Sequence, residues 1–136
     1  MTYRRPHQSR LLRLACAAMA VLLAGAAAHA GEQKIRALVS GNTLLITNKY
    51  GTTDIYFDPS GVLLHRGPGP DVDRARWRAT DDGVCSTADP TPDGKPFPEY
   101  CMPLKGRTIG ETWTGDDPRN GSLVYKLVRG DARKHQ

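Results

Sequence analysis

Thr53-Asp54-Ile55-Tyr56-Phe57-Asp58-Pro59-Ser60-Gly61-Val62-Leu63-Leu64-His65-Arg66 decides the fold. Thr53, Ile55 and Phe57 alternate with Asp54 and Tyr56, the period-two pattern of a strand with one buried face. Asp58-Pro59-Ser60-Gly61 then has proline at the second turn position and glycine at the fourth, and Val62 to Arg66 returns. These fourteen residues predict an antiparallel hairpin.

The same pattern extends in both directions. Upstream, Leu44 and Ile46 share one face of a strand beginning at Thr43, and Asn48-Lys49-Tyr50-Gly51 is its turn. Downstream, Gly67-Pro68-Gly69-Pro70 is a loop by composition, because proline cannot donate to a ladder and glycine weakens one. Ala75, Trp77 and Ala79 then alternate with Arg74, Arg76 and Arg78, which places the indole inside and three guanidinium groups outside. Asp81-Asp82-Gly83 turns the chain and Val84-Cys85-Ser86 begins the return. Residues 87–98 hold four prolines and read as a long irregular excursion. Further strands are expected over Tyr100 to Lys105, Arg107 to Trp113 and Ser122 to Val128, with Gly106 and residues 115–121 as turns. Short strands at regular spacing predict a mainly β domain, a small antiparallel meander or barrel-like sheet. Ahead of it, Ile35, Leu38 and Val39 stand at i, i+3 and i+4 before Gly41, which favours a short helix over Glu32 to Ser40 with a strand as the alternative.

Residues 1–30 carry a different signal. Arg4, Arg5, Arg10 and Arg13 precede an apolar run from Leu14 to Ala27, and Ala28-His29-Ala30 supplies small residues at the cleavage positions. The run is shorter than the roughly 20 residues of a membrane-spanning helix, so a secretory signal peptide cut after Ala30 is expected, with no stable membrane span in the mature form. The organisation is then a signal at 1–30, one β-rich domain at 31–130 and a polar tail at 131–136, in a periplasmic or secreted location. Four of the 19 Lys and Arg residues and none of the 14 acids lie in the signal, so the mature chain is near neutral. Nucleic-acid readers carry a basic stripe or a strongly basic domain, and nucleic acid is therefore excluded as a partner.

Cleavage also removes Cys16 and leaves Cys85 and Cys101. An even pair in an oxidising compartment reads as a disulfide, which would staple the base of the proline-rich excursion. A zinc site needs about four ligands, and the mature chain adds only His65 and His135. Neither a metal nor a cofactor is called for. Hydrolytic triads rest on His65 alone, and no Gly-x-Ser-x-Gly elbow is present. The acidic stretches starting at Asp89 and Asp116 fail as calcium loops, since Tyr100 and Leu127 stand where a bidentate glutamate is required. Glu99 and Glu111 are the only glutamates past residue 32 for carboxylate chemistry. The row Arg74, Arg76 and Arg78 is the candidate surface for an anion or an acidic partner. Tyr56, Phe57, Trp77 and Trp113 are the candidate core or pocket aromatics.

The order Leu38-Val39-Ser40-Gly41-Asn42-Thr43-Leu44, Tyr56-Phe57-Asp58-Pro59-Ser60-Gly61, Ala75-Arg76-Trp77, Gly83-Val84-Cys85 and Tyr100-Cys101 resembles a group of small bacterial exported β-domain proteins without an established activity. Ala75 departs from that layout, which has glycine before the tryptophan. The resemblance covers most of the mature chain and implies a periplasmic β fold without a mechanism. The expectation is a non-enzymatic β-rich binding domain of the bacterial envelope whose partner is a small ligand or an envelope protein. An inhibitor acting through the 89–100 loop is the alternative, and a carboxylate-based hydrolase is third.

Overall fold

A computed structural model of the chain describes residues 29–69, 72–89, 93–96 and 98–135. The signal reading lies outside these residues apart from its last two positions. Among the described residues no helix is long and apolar enough to cross a membrane. The first element, α1 (Ala30–Val39), buries Ile35 and Val39 on one face. Its N-terminal end receives a side chain from a distant turn, where Asp81 Oδ1 accepts the Glu32 N–H at 3.0 Å.

Eight strands follow: β1 (Thr43–Asn48), β2 (Gly51–Phe57), β3 (Val62–Arg66), β4 (Val72–Ala79), β5 (Gly83–Ala88), β6 (Tyr100–Pro103), β7 (Thr112–Asp117) and β8 (Gly121–Val128). They form one curled antiparallel sheet in the order β6-β5-β4-β3-β2-β1-β8-β7. The strands follow chain order around a curled half-barrel whose two edges are β6 and β7. Mainly β architecture with a short N-terminal helix is thus what the chain adopts.

Register explains how one apolar face becomes an interior. Residues directly opposite across a ladder lie on the same face of the sheet, so one inward position fixes its neighbours. Phe57 opposes Leu63, Leu63 opposes Ala75, and Ala75 opposes Ala88. On the other side Leu44 opposes Leu127 and Ile46 opposes Tyr125. Gly83 permits β5 and β6 to close, because a Cβ there would stand 1.9 Å from the Met102 carbonyl oxygen.

The interior is solid at one end. Leu44, Phe57, Trp77, Ala79, Val84, Leu104 and Leu127 are buried there with Ile35 and Val39 of α1. Phe57 meets Trp77 edge to face at 5.7 Å, a favoured aromatic geometry. Trp77 Nε1 donates to the Asp58 carbonyl at 2.9 Å, so the buried indole leaves no polar atom unpaired.

Two expectations differ from the structure. The strand foreseen over Arg107 to Trp113 begins at Thr112 and continues to Asp117. Arg107 to Glu111 instead closes on itself: Arg107 Nη1 donates to Glu111 Oε1 at 2.6 Å and Glu111 Oε2 accepts the Thr108 N–H at 2.9 Å. The turn lies further on, where Asp117 Oδ1 accepts the N–H groups of Arg119 and Asn120, both at 2.8 Å. The segment after residue 130, foreseen as a polar tail, is polar but docked. Thr43 Oγ1 donates to the Gly130 carbonyl and accepts the Ala132 N–H, and Asn42 Oδ1 accepts the Gly130 N–H.

That docking completes a buried ion network on the outer face of β2 and β3. Arg66 Nη2 lies 2.6 Å from Asp54 Oδ2 and 2.5 Å from Asp131 Oδ1, and Arg133 Nε lies 3.0 Å from Asp54 Oδ1. The Arg66 guanidinium holds the Asp131 carboxyl below the ordinary carboxylate range, against the opposing effect of burial. On the outer face of β5 and β6, Cys85 and Cys101 are directly opposite with their sulfurs 2.05 Å apart, at disulfide distance. Closing a loop of this length contributes about 3 kcal/mol in the chain-entropy description.

Candidate functional site

The other end of the sheet is open. There the inward residues surround a cup of about 500 Å³, inside the range of small-molecule sites. Its floor and walls are apolar, from Ile46, Ile55, Leu63, Ala75, Ala88, Met102 and Leu123. Its rim is polar, with Asn48, Thr53, His65, Asp73, Asp117 and Asn120, and Ser86 adds a hydroxyl deeper on β5. The division follows from strand polarity. The stripes of β1 and β2 run from a large apolar residue near α1 to a polar one at the far end, Leu44-Ile46-Asn48 and Phe57-Ile55-Thr53.

Two tyrosines complete the wall. Tyr100 is 62% exposed at the start of β6, and Tyr125 is half-buried on β8. The Tyr125 ring stacks on Trp113 at 5.4 Å with 11° between planes, and Gly115 makes room for it, since a Cβ there would stand 3.1 Å from Tyr125 Cε2. Burial raises the Tyr125 pKa, and the neighbouring Tyr100 and Asp117 raise it further. The Asp117 carboxyl is held low by the N–H groups of Asn120 and Arg119, so it is a carboxylate at neutral pH. Across the rim, His65 Nδ1 and Asp73 Oδ2 are 3.9 Å apart.

Tyr100, Met102 and Tyr125 also line a second hollow of about 480 Å³, at the seam where the β6 and β7 edges face each other. Arg107 stands 4.7 Å over the Trp113 ring on that side. The unpaired seam therefore adjoins the cup through its tyrosine wall.

The sequence-derived candidates separate in space. Phe57 and Trp77 belong to the solid end. Tyr56 faces outward with the Arg66 guanidinium 5.8 Å from its ring. Trp113 supports the cup through Tyr125 and lines the seam. Arg74, Arg76 and Arg78 are exposed, but Arg78 is gripped by both oxygens of Glu99 at 2.9 and 2.8 Å, which leaves Arg74 and Arg76 without an ion pair among the described residues. Glu99 and Glu111 are thus each bound to an arginine, at opposite edges of the sheet. Cys85, Glu99 and Cys101 bring three potential ligand atoms within 4.8 Å of one another, but the disulfide consumes both thiolates.

Sequence reasoning missed the cup residues Tyr100, Met102, Asp117 and Tyr125. The signal for Tyr125 was its shared face with Leu123 and Leu127, but only the pairing of β8 with β1 brings that face into the half-barrel. No known family profile matches the chain, and no curated protein or solved structure is significantly similar to it.

Proposed function

We infer that this protein is a non-enzymatic, exported binding domain that holds a small amphipathic molecule in the open half of its barrel. The observation that carries this reading is the cup itself, an apolar chamber of about 500 Å³ beneath a polar rim. Such a lining removes an apolar body from water, worth roughly 25 cal/mol per Å², while leaving a polar head at the mouth. The solid core beside α1 supports the reading by providing a rigid floor, so little ordering cost falls on binding. A bridged cysteine pair fits an oxidising compartment such as the bacterial envelope.

N-Phenyl-1-naphthylamine, a neutral arylamine that brightens in apolar surroundings, tests this directly. Saturable enhancement is expected with the wild-type mature domain. Ala75→Trp, which projects an indole from the middle of β4 into the cup, should abolish it while far-UV circular dichroism stays unchanged. Equal enhancement in the two proteins would place the probe elsewhere and overturn the reading.

A further inference from the structure

The rim of the cup is chemically uneven, and this unevenness points to a class of ligand. On its β6, β7 and β8 side, Tyr100, Tyr125 and Asp117 come together, with the Tyr125 hydroxyl in the electrostatic reach of the other two. Asp117 Oδ1 is occupied by the Arg119 and Asn120 N–H groups and by Asn120 Nδ2, whereas Oδ2 makes no hydrogen bond among the described residues. The Tyr125 ring is stacked on Trp113 and passes close over Gly115, which holds it in the cup wall. On the far side of the rim, Asp73 adds a second carboxylate.

Positive charge is scarce on the inner side. Arg74 is the sole Lys or Arg among the described lining residues, and its register opposite Leu64 puts it in the outward row of β4. The inward positions therefore offer two carboxylates, of which Asp73 has His65 beside it at 3.9 Å, and two tyrosine rings among the apolar lining. Carboxylates and aromatic faces attract organic cations, and they reject anions through like charge.

We propose that the cup selects amphiphiles bearing a positively charged nitrogen, seating the ammonium group between Tyr100, Tyr125 and Asp117 Oδ2 and the apolar body against Ile55, Leu63 and Leu123. This rests on the cup being the binding site. Matched octyl compounds separate the two claims, because octylammonium, octanoate and octanol share a body and differ in the head. Each is titrated against the mature domain loaded with N-phenyl-1-naphthylamine.

Octylammonium should displace the probe at about tenfold lower concentration than octanoate, the scale of one desolvated cation–π or charge contact. Asp117→Asn retains an oxygen for the turn and should narrow that preference to about twofold, with Asp73→Asn narrowing it less. Equal potency of the three compounds, an advantage for octanoate, or a preference unchanged in both variants would overturn the ammonium inference while leaving the cup as a binding site. Failure of the probe to bind wild type would remove the cup as a site and the inference with it.

Discussion

Asp54→Ala should lower the unfolding free energy by about 3–5 kcal/mol, the loss found when one partner of a buried ion pair is deleted. Asp54 is 6% exposed and accepts from Arg66 Nε at 2.8 Å and Arg133 Nε at 3.0 Å. Its removal leaves the Arg66 guanidinium, itself buried, with Asp131 as its remaining carboxylate. For a domain whose total stability is about 5–15 kcal/mol, this is a large share. Asp54→Asn keeps an acceptor oxygen without the charge and should fall in between. A loss below about 1 kcal/mol, the scale of exposed pairs, would contradict the buried network. The same network sets an acid limit. Because the Asp131 pKa is depressed in the folded state, its contribution is present above the unfolded value of about 3.9 and is lost as pH falls through the lower folded value. Urea titrations between neutral and strongly acidic pH read this directly, and Asp131→Asn should flatten that part of the acid limb.

Phe57→Ala should cost about 3–5 kcal/mol, whereas Leu123→Ala should lie at the low end of the large-to-small range, about 2 kcal/mol. Both residues face inward and are buried, and the group deleted at Phe57 is the larger. Their surroundings differ. Phe57 is fully buried against Trp77, so its removal leaves a sealed cavity in a packed cluster. Leu123 lines the cup, so the space it vacates joins one already open to water. Denaturant midpoints of the two variants measure the asymmetry between the solid and open halves. Equal losses would mean that the interior is packed alike at both ends.

Alternation made most of the meander legible. The turn at residues 58–61 and the return strand Val62–Arg66 fall where the sequence indicates, while β2 begins at Gly51, two residues before Thr53, and the cysteine pair joins opposed positions of β5 and β6. What escaped depends on contacts between residues distant in sequence. Gly115, Asp116 and Asp117 have turn chemistry, yet they pair with Leu123, Ser122 and Gly121 in a strand because the Asp117 carboxylate begins the turn one step later. Asp131 and Arg133 look like tail residues until Arg66 and Asp54 supply their buried partners. The cup was hidden for the same reason. Its residues come from all eight strands, and only the register of the curled sheet gathers Ile46, Leu63, Met102 and Tyr125 around one space.

Methyl-resolved NMR of the protein titrated with N-phenyl-1-naphthylamine locates binding most directly, because ring currents displace the resonances of methyl groups near the probe. Ile46, Ile55, Leu63, Met102 and Leu123 should shift together and saturate, while Leu44, Leu104 and Leu127 at the solid end stay in place. Shifts confined to the solid end or to Val72 and Val124 on the outer surface, or no shifts at saturating probe, would contradict a ligand-binding cup.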